Sequence, residues 1–406
     1  MKLNGFEHFG GHHWETACLK NMLAYQGLNA PHTNQPLSEA MILGIAGGIT
    51  PGYSFCPSVL KYAGGIFIPG RSRLLSTNAA YATHFLERIG ATPQVNETGS
   101  KKTAIQHVKD SLQEGKPIMV YCCKPSLPYL QLPLIYGAYK WMHTVVVHGL
   151  DEANGEIHLA DTASTSLKIS IQEFNEARSK IPSYKNRSLN FESPKKLTMK
   201  KLKDAVLAGI QNFLELSDHP PMKTFSLEGL SEWAKLMTND KNAKGWRRVY
   251  SDGNLFLALR DVFESIETLG TGGGLYRHLY ADFLEEAAAL SGLNSFGKVA
   301  THYRHLGNGW TAFAEACLPD QQKISKDTKA SLRFRASEFQ RGDEQGLEKV
   351  AKASREIERL EKIVLKKGYP WGEKRTLELL ESLSEQLKEL IVMEKEALAA
   401  LKKAVA

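Results

Sequence analysis

The densest group of reactive side chains is the run His8-Phe9-Gly10-Gly11-His12-His13-Trp14-Glu15-Thr16-Ala17-Cys18. Three imidazoles, a carboxylate and a thiol stand just ahead of, or within, the first turns of a helix predicted over 16–25. A cysteine near a helix N-terminus gains thiolate character from the helix dipole, and a nearby imidazolium lowers its pKa further. Cys18 is therefore a candidate nucleophile. Cysteine nucleophiles need a histidine to accept the proton and a third group to orient the imidazole. His143 opens the apolar, β-like run 143–149, and Asp161 closes the next one, 156–161. Between them lies Asp151-Glu152-Ala153-Asn154-Gly155, whose Asn-Gly pair is a hairpin signal. The sequence thus predicts imidazole and carboxylate side by side at one end of an antiparallel pair. Two plainer readings compete: a core His–Asp pair that only fixes the hairpin, and a Cys18 that only packs.

The same imidazoles suggest a second chemistry. His8, His12 and His13, joined by His143, His148 or Asp161, would offer zinc or iron three nitrogens and an oxygen. No His-Glu-x-x-His pattern accompanies them, and the expectation is that no cofactor is needed. Trp141-Met142, just before His143, forms an apolar shelf for an acyl chain or packs the sheet. The loop Pro125-Ser126-Leu127-Pro128-Tyr129-Leu130-Gln131-Leu132-Pro133 is a cleft wall or a long connection. Thr271-Gly272-Gly273-Gly274 lacks the Lys-Ser/Thr pair of a phosphate-binding loop and reads as a tight interhelical turn.

These residues must be held by a scaffold that 406 residues can build as two or three domains. Hydrophobic residues make up 42% and charged residues 23%, an ordinary globular composition. No apolar stretch approaches the ~20 residues of a membrane helix. The start, Met-Lys-Leu-Asn-Gly-Phe-Glu-His, has no apolar core and no cleavage site, so no secretory signal is expected. Five unpaired-looking cysteines (Cys18, Cys56, Cys122, Cys123, Cys317) predict free thiols in a reducing cytoplasm. The net charge of +7, from 51 basic and 44 acidic residues, is mild. Its one dense basic run, 195–203, reads as a solvated helix face or linker, so no nucleic-acid partner is expected.

Three zones divide the chain. Residues 1–192, with helix first and antiparallel strands after, predict an α+β domain. Helical patterns at 202–216, 227–237, 255–269, 275–291 and 296–317 predict an all-α domain over 195–320. In the charged block 323–406, Leu347, Val350, Ile357, Leu360 and Val364 precede the break Gly368-Tyr369-Pro370-Trp371-Gly372. Leu377, Leu380, Leu383, Leu387, Leu390, Ile391 and Leu398 then resume the spacing. That predicts a helical hairpin whose seams face each other, or a second subunit in a homodimer.

A nucleophile on a leading helix followed by His and Asp on strands is the layout of papain-like enzymes. The runs His12-His13-Trp14-Glu15-Thr16-Ala17, Leu23-Ala24-Tyr25-Gln26-Gly27 and 37–49 resemble the N-terminal domain of the butirosin biosynthesis protein H family. Residues 273–287, Gly-Gly-Leu-Tyr-Arg-His-Leu-Tyr-Ala-Asp-Phe-Leu-Glu-Glu-Ala, resemble a helical domain of unknown function fused to it. Together these resemblances cover roughly residues 5–318 and leave 323–406 outside. They imply a papain-like fold and acyl transfer in secondary metabolism, from an acyl-carrier-protein thioester through an enzyme cysteine to a small-molecule amine. They also put His13 at the polar position before the nucleophile, Trp14 at the nucleophile position itself and Cys18 at a second cysteine. His143 and Asp161 match the other triad members, and His8 matches an oxyanion-stabilising glutamine. Trp14 departs from the pattern, because an indole N–H is a donor only and cannot form an acyl-enzyme. Either Cys18, one turn on and on the same side, replaces it as nucleophile, or the domain works without covalent catalysis, as a binding protein or by positioning alone.

Overall fold

The computed structural model describes residues 1–57, 64–72, 79–132, 141–251 and 253–405. Pro133, the last residue of the proline-rich loop, lies outside the described residues. The chain runs through α1 (Trp14–Tyr25), α2 (Glu39–Ala46), β1 (Ser54–Phe55), β2 (Ile66–Phe67), α3 (Ala80–Ile89), β3 (Thr92–Asn96) and α4 (Lys101–Gln113). It continues with β4 (Ile118–Cys123), β5 (Met142–Asp151), β6 (Glu156–Ala160), β7 (Leu167–Ser170), α5 (Ile171–Ser179) and β8 (Ser188–Glu192). From there it is helical: α6 (Met199–Asp218), α7 (Leu227–Thr238), α8 (Trp246–Val249), α9 (Asn254–Phe263), α10 (Arg277–Ser291) and α11 (Asn294–Cys317). Three last helices follow, α12 (Lys323–Arg341), α13 (Glu344–Lys367) and α14 (Glu373–Val405). The fold is α+β, with helix outweighing strand.

Two compact units share these elements. The first comprises Met1–Ala46, Leu75–Ala208 and Phe334–Ser354, and the second Gly47–Leu74, Gly209–Arg333 and Arg355–Ala406.

The first unit is built on a six-stranded antiparallel sheet in the order β3-β8-β4-β5-β6-β7. Every residue of β4, Ile118-Met119-Val120-Tyr121-Cys122-Cys123, is buried. A strand buried at consecutive positions has both faces covered. Helices α1, α4 and α5 all pack on the central strands. The β5–β6 hairpin follows the Asn-Gly signal, with Asp151 opposite Glu156. It carries one irregularity: Val147 pairs with Leu159 but Gly149 with His158, so His148 is an extra residue in β5.

Among the described residues the second unit is helical apart from the short β1–β2 pair. Trp233, Trp246 and Trp310 are fully buried in its core. The triple-glycine turn is as expected an interhelical one, leading into α10. Gly274 sits at φ +53°, and a Cβ there would lie 2.7 Å from the Gly307 carbonyl, so only glycine fits. Arg277 is buried and bonds Glu394 Oε1 at 3.0 and 2.6 Å, and Trp310 Nε1 donates to the same oxygen at 2.9 Å.

The expected C-terminal hairpin needs correction. The break at 368–372 is present, but the seam of α14 does not close on α13. Helices α7 and α11 bury it instead, and Leu383, Leu387 and Leu401 are inaccessible there. Their apolar faces lie within the same unit and satisfy the stripe that seemed to want a hairpin partner. In the basic run, Lys195, Lys196, Lys200 and Lys201 are exposed, as a solvated face would be. Among the described residues no helix is long and apolar enough to cross a membrane, and none of the five cysteines is in a disulfide.

Candidate active site

Helix α1 starts at Trp14 because His13 caps it. The His13 backbone is extended (φ −98°, ψ 135°) and its Nδ1 accepts the Thr16 amide at 3.5 Å. The preceding amides are satisfied by a carboxylate from another helix. Glu39, buried at the head of α2, accepts His12 N–H at 2.8 Å, His13 N–H at 3.2 Å and the Thr16 hydroxyl at 2.8 Å. A negative charge on the amino end of α1 also matches the helix dipole. Glu39 therefore fixes where residue 14 stands.

On the sheet, His143 Nε2 and Asp161 Oδ2 are 2.8 Å apart, both side chains buried. Strand register explains the pairing. With Val146 opposite Ala160, Asp161 falls opposite Val145, and His143, two residues along on the same face, is its diagonal neighbour. Asp161 is saturated with donors. Tyr129 Oη gives a second bond to Oδ2 at 2.8 Å, and the Thr162 amide bonds Oδ1 at 2.7 Å. Burial alone would raise its pKa, but His143, Thr162 and Tyr129 outweigh it and hold the carboxyl below its ordinary value. A carboxylate only accepts, so Nε2 of His143 is the donor of that bond.

Trp14 and His143 face each other, with ring centroids 5.7 Å apart. The His13 ring lies 4.2 Å from the indole and Lys124 Nζ 5.6 Å above it. Two polar atoms here are buried without a hydrogen-bond partner: Trp14 Nε1 and His143 Nδ1. Buried polar atoms are seldom left unpaired, because each costs about 1–3 kcal/mol.

Cys18, one turn on, is engaged elsewhere. Its thiol is 2% exposed and donates to Thr144 Oγ1 at 3.6 Å. Burial pushes its pKa well above the ordinary thiol value, and the Thr144 contact offsets only part of that. Iodoacetamide is accordingly expected to spare Cys18 in the folded protein at pH 6–8 and to label it only on unfolding, followed by peptide mass spectrometry. Cys18→Ser should lower stability by about 1–2 kcal/mol by burying a more polar group.

The sequence falls into two matched parts. Residues 13–162 match the family model described as butirosin biosynthesis protein H, N-terminal. Residues 172–367 match a domain of unknown function, DUF4872. Residues 13–162 thus carry a butirosin biosynthesis protein H N-terminal domain, and a domain of unknown function follows it. No curated protein matches it. The butirosin-H match opens at the capping residue His13 and ends one residue past Asp161, so it brackets the whole site. The second match starts in α5, takes in β8 of the same sheet and reaches the end of α13, well past residue 318 where the recognisable motifs stop.

In this butirosin-H-type domain the structure gathers Trp14, His13, His143 and Asp161. Trp141 is half-buried, and its carbonyl accepts the Lys124 amide at 2.9 Å. His8 is half-buried in the segment before α1 and makes no hydrogen bond to this group among the described residues. The metal reading is corrected. No three His, Cys, Asp or Glu side chains among the described residues are grouped to hold an ion. His13 spends its Nδ1 on the helix cap, and His12 is exposed, 3.4 Å from the Gln340 amide nitrogen. His148 Nε2 bonds Ser166 instead, at 2.9 Å. Sequence reasoning passed over Glu39, Tyr129 and Thr144. Tyr129 had one signal, its place in the proline-rich loop; the other two had none.

Proposed function

We propose that His143, oriented by Asp161, is the general base of an acyl transfer from a thioester to an amine that proceeds without an acyl-enzyme. The observation that carries this reading is the buried, unpartnered Nδ1 of a histidine whose Nε2 is held by a buried carboxylate, across from the Trp14 ring. The family resemblance suggests the carrier-bound thioester and the amine. An indole at the nucleophile position and a buried Cys18 speak against the cysteine step. In the direct reaction the amine nitrogen attacks the thioester carbonyl as His143 Nδ1 takes its proton. The C–N bond forms, the C–S bond breaks, and the departing thiolate recovers that proton from the imidazolium. Amide and free thiol result, with charge and protons balanced.

Incubating the protein with acyl-pantetheine thioesters and a panel of primary amines, with product and intact protein both read by mass spectrometry, tests this. Amide should form while the protein mass stays unchanged, and His143→Ala should slow turnover by roughly 100- to 1,000-fold. An acylated protein whose adduct disappears in Cys18→Ala would overturn the direct mechanism, as would undiminished turnover in His143→Ala. One observation favours a second reading, a catalytically silent binding protein. The buried, unpaired Trp14 N–H is a ligand donor rather than a reacting group. Saturable binding of amine or thioester with no turnover in any combination would select it.

A further inference from the structure

The His143–Asp161 pair leans on a part of the chain far from the butirosin-H match. The last turn of α12 and the residues after it, part of the first unit, lie against the two segments that grip Asp161. Phe339 stacks on Tyr129 with centroids 6.1 Å apart and planes 7° apart, and Tyr129 is the second donor to Asp161 Oδ2. The loop after Asp161 is tied down in two places. The Ser164 amide donates to Gln340 O at 2.7 Å, and Thr165 Oγ1 donates to Gly342 O at 2.8 Å. Gly342 has φ +70°, and a Cβ on it would stand 2.7 Å from Ala163 Cβ and 2.8 Å from Thr165 Oγ1. The strap thus needs glycine there on two counts, conformation and room. Gln340 also reaches His12 Nδ1 at 3.4 Å, on the amino side of α1.

We propose that Phe339–Gly342 is a strap that positions the His143–Asp161 pair, with Phe339 and Gly342 as positioning residues acting through Tyr129 and the 161–165 loop. The catalytic geometry of the butirosin-H-type domain is then completed by residues of the DUF4872 match, and the two matched stretches form one functional entity. Asp161 shares its Oδ2 between His143 and Tyr129. Loss of the ring under Tyr129 frees that hydroxyl to swing away, and loss of the ties at 164–165 lets the carboxylate rotate. Small displacements of a base can cost a reaction as much as about 100-fold.

This rests on the pair being the functional site but not on the reaction assigned to it, and the test reads the two separately. In full-length protein labelled with 15N-histidine, the Nε2–H of His143 should give a far-downfield proton signal, assigned by its disappearance in His143→Gln. Phe339→Ala should broaden or remove that signal and lower amide formation, if any is seen, by tenfold or more, whereas Phe339→Tyr should preserve both. Phe339→Leu, which keeps apolar bulk but loses the stacked ring, should move the signal even if Phe339→Ala does not fold. Gly342→Val should act like Phe339→Ala. A signal unchanged in folded Phe339→Leu and Gly342→Val would overturn the strap. If the signal responds as expected but no amide ever forms, the strap stands and the proposed acyl transfer falls.

Discussion

Asp161→Asn is expected to reduce amide formation by roughly 1,000-fold while leaving the protein folded. The reason is the count of donors around the carboxylate. Asp161 receives three: Nε2–H of His143 and the Tyr129 hydroxyl on one oxygen, and the Thr162 amide on the other. An asparagine has one oxygen and one NH2 group. If its oxygen keeps Thr162, the NH2 faces His143 and Tyr129. Nε2 must then become an acceptor, which moves the ring proton to Nδ1 and abolishes the base. If the amide flips, the NH2 meets the Thr162 N–H donor to donor, at a cost of about 1–3 kcal/mol. Steady-state turnover and the histidine NMR signal of the variant should change together. Undiminished turnover would remove His143 from the chemistry.

The same carboxylate makes a pH-dependent contribution to stability. Its folded pKa lies below the ordinary value of about 3.9. The stabilisation is therefore present in full above that value and is lost as the pH falls through the lower, folded-state one. Acid unfolding of the wild type should be steeper in this range than that of Asp161→Asn.

How much of this was legible follows from the distances involved in the chain. The first helix and the Asn-Gly hairpin are local features, and their patterns read correctly, although the helix starts two residues earlier than expected, at Trp14, with His13 as its cap. The pairing of His143 with Asp161 was read correctly too, but for a reason the sequence does not contain. Counting back from the turn, where Asp151 faces Glu156, Asp161 would come opposite Val146. His143, three residues away, would then point to the other face of the sheet. The extra residue at His148 shifts the register by one and restores the shared face. Nothing in Val-Val-Val-His-Gly announces a bulge; only the packed sheet reveals it. Long-range partners were invisible for a similar reason. Glu39, the carboxylate that seats α1, and Phe339, the ring under Tyr129, are ordinary members of helical patterns, and no spacing rule links residue 342 to 165. The stripe on α14 was seen, but a stripe names no partner. Helices α7 and α11 present equally ordinary stripes, and the choice among them is made by the whole unit's packing.

Trp14 is where sequence and structure most directly constrain the chemistry, and replacing it is the second large expected effect. Trp14→Cys should create a reactive thiol where wild type has none. Position 14 is the first residue of α1, so a thiolate there meets the positive end of the helix dipole. His13 and His143 flank it, with rings centred 4.2 and 5.7 Å from the indole, and the unpartnered Nδ1 of His143 can take a thiol proton. Unlike Cys18, the site is partly open to solvent. Iodoacetamide should label residue 14 near pH 6–7, and a thioester donor should leave an acyl adduct on it, read as a mass increase that Trp14→Ser lacks. The indole's removal leaves a gap at the head of the helix, so the thermal midpoint should fall, by the equivalent of about 1–3 kcal/mol for a half-buried aromatic. If the thiol at position 14 stays inert while His143 keeps its hydrogen-bonded signal, the pair is not poised as a base toward α1. The site would then be a binding cleft whose floor is the indole.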